Sequence, residues 1–137
     1  MSLARDAAFA AYRSAAAAVH PRVAVVRLYD VALRAIREAI TASRARRIED
    51  AYIAINKASQ ILRGLSSNVV GDDDLAATLR QVYLANLLAL HSAFGKPDCE
   101  RRYMVIAAGL LELRNAWAVV AGMPPASDLI AMTTSNG

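Results

Sequence analysis

Apolar residues recur at three- and four-residue intervals through most of the chain, and no stretch alternates apolar and polar positions as a strand would. Four helical segments are predicted, at about 21–43, 46–65, 73–94 and 99–120. The punctuation between them agrees. Pro21 suits a first helical turn. The stretch SSNVVGDDD ends in carboxylates that favour a helix N-terminus. In GKPD, Gly95 follows one helix and Asp98 is the expected N-cap of the next. GMPP closes the fourth. Each segment is about 30 Å long at a rise of about 1.5 Å per residue. Matched lengths and short links imply antiparallel neighbours. The expected fold is all-α, an antiparallel up-and-down four-helix bundle with a short N-terminal helical segment. Residues 1–19 form that segment, 20–121 the bundle, and 122–137 a flexible C-terminal tail.

The phase of each helix gives its expected core face. The first presents Val25, Val26, Leu28, Tyr29, Ala32, Leu33, Ile36 and Ile40. Asp30 falls at the rim of that arc, and Arg27 and Arg34 lie within helical reach of it. The second presents Ile48, Ala51, Ile55, Ala58, Ile61, Leu62 and Leu65, with Tyr52 on the border. Ile53 lies instead among Glu49, Asn56, Lys57 and Gln60. The third presents Leu75, Leu79, Val82, Tyr83, Leu87, Leu90 and Phe94, with Asn86 inside the face and Leu84 and Leu88 on a second ridge. Extra apolar ridges mark interfaces, although a scattered exposed leucine needs no explanation. The fourth presents Tyr103, Ile106, Ala107, Leu110, Leu113 and Trp117, and Arg114 interrupts it. An arginine there requires a carboxylate or carbonyl partner, or a path along the surface to water. Asp30 is a candidate, across the bundle.

Composition adds exclusions. Hydrophobic residues make up 56% of 137 residues, so a single packed domain is expected and disorder is not. Net charge is +4, but the arginines are scattered apart from RARR at 44–47, which reads as a solvated helix junction. No helix-turn-helix spacing appears, so nucleic acid is not an expected partner. A single cysteine, Cys99, allows no intramolecular disulfide. No uncharged apolar run reaches the ~18 residues that span a bilayer, and Asp6 and Arg13 interrupt the N-terminus. A soluble cytoplasmic protein without membrane insertion is expected.

Catalytic chemistry is not evident. His20 and His91 are far apart, and neither sits in the Glu-x-x-His pairs that di-metal bundles use. There is no phosphate loop, the acidic run 72–74 matches no calcium loop, and nothing nominates a base for Cys99. No catalytic residue, metal ligand or cofactor is expected.

Four stretches then form a pattern. LYDVALRAI at 28–36, AINKASQILRGL at 54–65, YLANLLAL at 83–90 and LLELRNAW at 110–117 together resemble the FliS family of flagellar proteins, the flagellin export chaperones. The strongest marks are Leu28-Tyr29-Asp30 and Leu113-Arg114 with Ala116-Trp117; Tyr12 resembles a tyrosine of the family's N-terminal segment. His20-Pro21-Arg22 departs from the family's usual Ser-Pro or Thr-Pro start. The resemblance implies a cytoplasmic, non-enzymatic chaperone. It would bind the C-terminal segment of flagellin, prevent premature polymerisation and assist type III export, with export-apparatus components as further partners and a homodimer possible. Tyr12, Tyr52, Ile53, Asn56, Leu84 and Leu88 are the groove candidates. Tyr29, Asp30, Asn86, Arg114 and Trp117 form the structural signature. Leu3, Phe9 and Tyr12 would let residues 3–17 pack over the bundle, and Leu129-Ile130-Ala131-Met132 in the tail would cover a groove unless the tail is disordered. Composition and periodicity alone fit a generic helical adaptor or dimerisation protein equally well.

Overall fold

The computed structural model describes residues 21–126. The expected N-terminal segment, with Leu3, Phe9, Tyr12 and His20, and the tail residues 129–132 lie outside them. Four helices follow in order: α1 (Pro21–Arg44), α2 (Ile48–Ser67), α3 (Asp74–Ala93) and α4 (Cys99–Ala121). Each packs on its neighbours in sequence, and α1 closes the ring against α4. This is the all-α four-helix bundle.

The helices are unequal partners. α1 has the most extensive packing, against both α2 and α4, while α3 is the least embraced. The sequence explains this. Ala32, Ala35, Ala39 and Ala42 are all buried in α1, and their small side chains let two neighbouring backbones come close. Between them Tyr29, Leu33, Ile36 and Ile40 meet Ile55 and Leu62 of α2, Leu87 and Leu90 of α3, and Tyr103, Ile106 and Leu110 of α4 in one core. Full burial of a Leu or Ile stabilises by roughly 1.5–3 kcal/mol, so this cluster dominates the fold.

The helix ends show where local chemistry departs from expectation. Asp73 caps α3, its carboxylate accepting the Ala76 N–H at 2.8 Å. Asp98 precedes α4 but makes no side-chain cap bond. It ion-pairs instead with Arg101 and Arg102 at 2.8 and 2.9 Å, and Arg102 foremost holds its carboxyl below the usual carboxylate range. A carboxylate with two guanidiniums a turn away has stronger donors than a backbone amide.

α1 and α4 end in the same backbone motif. Met123 N–H bonds the Ala118 carbonyl and Gly122 N–H that of Val119, with Gly122 left-handed at φ 71°. Arg47 N–H bonds Ala42 and Arg46 N–H bonds Ser43, so Arg46 holds the same position at φ 59°. This is the glycine site of a Schellman cap, and a side chain there costs about 1–2 kcal/mol. Replacing Arg46 by Gly is expected to stabilise the fold by about 0.5–1 kcal/mol, after the greater freedom of glycine in the unfolded chain is subtracted. Urea unfolding measures it; a lower midpoint would show that the arginine side chain contributes more than its backbone strain removes. The cap also explains why α2 begins at Ile48 rather than near residue 46.

Tyr103 has no exposed surface, and its hydroxyl has no hydrogen-bond partner. Burial, with Cys99 nearby, pushes its pKa up to about 12. A buried orphan hydroxyl carries a desolvation cost. Tyr103→Phe is therefore expected to be neutral or stabilising by up to about 1 kcal/mol. The variant should also resist alkali better. The folded pKa lies above the unfolded value near 10, so folding favours the protonated phenol below pH 10, and that contribution fades as pH rises from 10 through about 12. Thermal melts at pH 8 and pH 11 test this; an equal loss in both proteins would exclude Tyr103 as a source of alkaline instability.

Candidate functional site

Tyr29 and Asp30 are consecutive, so their side chains leave α1 about 100° apart. Each reaches a different helix. Tyr29, fully buried, shares a hydroxyl–hydroxyl hydrogen bond with Tyr83 of α3. Burial, reinforced by Tyr83, raises the Tyr29 pKa far above its ordinary value; burial raises Tyr83 as well, and the Trp117 side chain works in the opposite direction on both. Both phenols stay protonated, and the pair acts as a polar pin inside an apolar core.

Asp30 reaches α4. Arg114 Nε donates to Asp30 Oδ1 at 2.8 Å and Nη2 to Oδ2 at 3.3 Å. The fork is two-pronged, the geometry that suits guanidinium and carboxylate. Arg114 is also buried, and its Nη1 donates to the Pro124 carbonyl at 2.9 Å. The adjacent Asn115 clamps the next stretch of chain, its Oδ1 accepting the Ala126 N–H and its Nδ2 donating to the Ala126 carbonyl, both at 3.0 Å. The chain after α4 is thus tied down through residue 126 rather than free from residue 122.

A groove opens at the same end of the bundle. It has a volume of about 520 Å³, with Val25 and Leu28 of α1, Leu65 of α2, Leu75 and Leu79 of α3, and Tyr83 and Trp117 among its lining residues. Val69 and Val70 of the α2–α3 link form a wall. Arg80 fixes that wall by donating to the carbonyls of Val69 and Gly71 at 3.0 and 2.7 Å. Leu28 and Leu75 were expected in the core, yet they are 41% and 67% exposed. Helical phase aims both inward, but they stand at the end of the bundle where the groove takes the place of an opposing helix. Ile48, also expected in the core, is 57% exposed for a similar reason: it opens α2 at the opposite end.

A second apolar patch lies at that opposite end. Tyr52 and Phe94 meet edge to face with ring centroids 5.5 Å apart, and with Ile48 and Ile53 they line a cavity of about 420 Å³. Ile53 also borders a charged hollow between α1 and α2, beside Arg37, Arg47 and Lys57. Leu84 and Leu88 are exposed on α3 and line none of these hollows. Asn56 is half-buried. Asn86 is not deep in the core; it is half-buried and donates to the Val82 carbonyl of its own helix. Tyr52 and Ile53 thus share a hollow that Leu84 and Leu88 do not line, and Tyr12 lies outside the described residues. The sequence missed the groove at Leu28, Leu75 and Trp117. Its available signal was the position of these residues at helix ends, next to SSNVVGDDD and GMPP.

One contact looks catalytic in composition. Ser59 Oγ lies 2.9 Å from His91 Nε2, joining α2 to α3. Ser59 is only 2% exposed, so no substrate reaches its oxygen, and the pair is structural.

The family described as flagellar protein FliS matches residues 5–124 of this chain. The chain belongs to the FliS family. A comparison with curated proteins finds no match. Membership carries the general role of a flagellar export chaperone, in a family of chaperones rather than enzymes. The bundle, the Tyr29–Tyr83 pin and the Asp30–Arg114 fork make up the architecture of this FliS-family chain, and the hollows at its two ends are mainly apolar. One of its helices, α4, is long and apolar enough to cross a membrane by composition alone, but it contributes Tyr103, Leu110 and Arg114 to the bundle interior.

Proposed function

We propose that this chain is a cytoplasmic chaperone for flagellin, without catalytic activity. It binds the C-terminal segment of the newly made client, prevents premature polymerisation and hands it to the type III export apparatus. The carrying observation is the groove at the Leu28, Leu75 and Trp117 end. Its lining is predominantly apolar and its polar members, Asn68 and Asp73, stand in the α2–α3 link. Such a lining suits the apolar face of an amphipathic helix. A segment unfolded before assembly gains order on entering it, so burial must offset that entropy. Tyr52, Ile53 and Asn56 at the other end, and Leu84 and Leu88 on α3, offer further stations for an elongated client.

Titration calorimetry with the C-terminal segment of flagellin from the same organism tests the reading. Saturable binding with a negative heat-capacity change is expected. A folded, helical protein that binds nothing would reject this client.

A further inference from the structure

We infer that the client-free protein pairs with a second copy of itself through the outer face of α3, the two helices antiparallel, with Leu84 of each copy against Leu88 of the other. The outward face of α3 differs from those of the other helices. Gln81, Leu84, Ala85, Leu88, His91 and Ser92 are exposed, and none is an acid, lysine or arginine. The helix carries only Asp74 at its start and Arg80, and Arg80 is turned to the carbonyls of Val69 and Gly71. The other helices all expose charge: Arg34 and Glu38 on α1, Lys57 and Arg63 on α2, Arg101 and Glu112 on α4. A helix that is apolar on both faces belongs in an interior, yet α3 has the least packing of the four, and Leu84 and Leu88 are more than half exposed. A face without charge matches the core of an interface.

The spacing of this face says what covers it. Gln81, Leu84, Leu88 and His91 follow one another at intervals of three, four and three residues, the alternation of a heptad seam. That alternation is the same read in either direction. A two-fold axis at the level of residue 86 therefore sets Leu84 on Leu88 and Gln81 on His91, so the ridge is complementary to itself, as an isologous contact requires.

Charge at the two ends of α3 fixes the direction. Asp72 and Asp74 stand at its start and Lys96 lies just beyond its end, all three exposed. Parallel helices would bring the two acidic runs together. Antiparallel helices carry each acidic run to the end where Lys96 of the other copy stands, and they oppose the helix dipoles. Six exposed residues a side fall short of the roughly 20–30 of a stable complex, so the pairing is weak, and a client that uses Leu84 and Leu88 replaces the second copy. The inference needs no flagellin and stands apart from the client reading.

Disulfide trapping tests it on the full-length chain. Cys99→Ser removes the native thiol, and Leu84→Cys and Leu88→Cys are then made in separate proteins, one of them carrying a mass tag. Each is oxidised alone and as an equal mixture, after circular dichroism has shown the parent helicity. The mixed disulfide is expected to form roughly tenfold faster or more than either homodisulfide. Two copies of residue 84 stand about 6 Å apart along the axis in this register, whereas a disulfide needs Cβ atoms within about 4.5 Å. Sedimentation equilibrium up to about 1 mM should show a dimer that Leu84→Glu with Leu88→Glu abolishes. Faster homodisulfides would show a parallel pair. Equal rates, a monomer at every concentration, or a dimer that survives the two glutamates would show that no second copy covers this ridge. Any of these results overturns the inference.

Discussion

Removing the Asp30 carboxylate is expected to destabilise the bundle by about 3–5 kcal/mol, the usual cost of leaving one partner of a buried ion pair behind. The Arg114 side chain is only 9% exposed, so Asp30→Ala strands a guanidinium that water cannot fully solvate. The Pro124 carbonyl and Asn115 still accept from Nη1, but they are neutral, and Nε and Nη2 lose their acceptors. The informative variant is the double one. With Arg114→Met alongside Asp30→Ala, no buried charge remains, and an apolar side chain of similar length fills the space. The double variant should therefore be more stable than the sum of the single changes allows, by more than about 1 kcal/mol. Urea unfolding followed by circular dichroism gives all four corners of the cycle. Additive losses would mean that the fork contributes no coupling, and that Asp30 acts only through its own helix.

The same pair shows how far the chain could be read without coordinates. Helical phase placed Arg114 inside an apolar arc and Asp30 at the rim of another, and charge balance then paired them; the structure sets them 2.8 Å apart. The helices themselves were equally legible, because Pro21, Gly95 and GMPP mark their limits. Phase reports azimuth around a helix and says nothing about height along the bundle. Leu28, Ile48 and Leu75 have the azimuth of core residues and the height of end residues, so they were misplaced inside. Asp98 holds the expected N-cap position of α4, but its side chain does not cap the helix. Cap preference is local and weak, and Arg101 and Arg102 outcompete the helix amides for the carboxylate. Arg46 in a glycine conformation left no signal, since RARR looks like any solvated junction. The Tyr29–Tyr83 pin was half legible: both were expected inside, but only tertiary packing brings two hydroxyls from different helices together.

Leu28 and Leu75 carry the second large effect. Leu28→Glu with Leu75→Glu is expected to weaken flagellin binding by roughly 100-fold or more, because each leucine buried against a client contributes about 1.5–3 kcal/mol and each new carboxylate must shed water without a partner. The free protein should stay folded and lose about 1–3 kcal/mol, since both side chains are only partly buried. Leu84→Glu with Leu88→Glu is the comparison. These two are also exposed, at 57% and 63%, but line neither apolar hollow. An isolated leucine on a convex helix face contacts a partner on one side only, whereas one in a groove is enclosed and loses more water on binding. The ridge pair should thus cost less than about tenfold. A reversed order of effects would move the client onto the outer face of α3 and leave the groove to another occupant; no loss from either pair would remove both surfaces from the client's path.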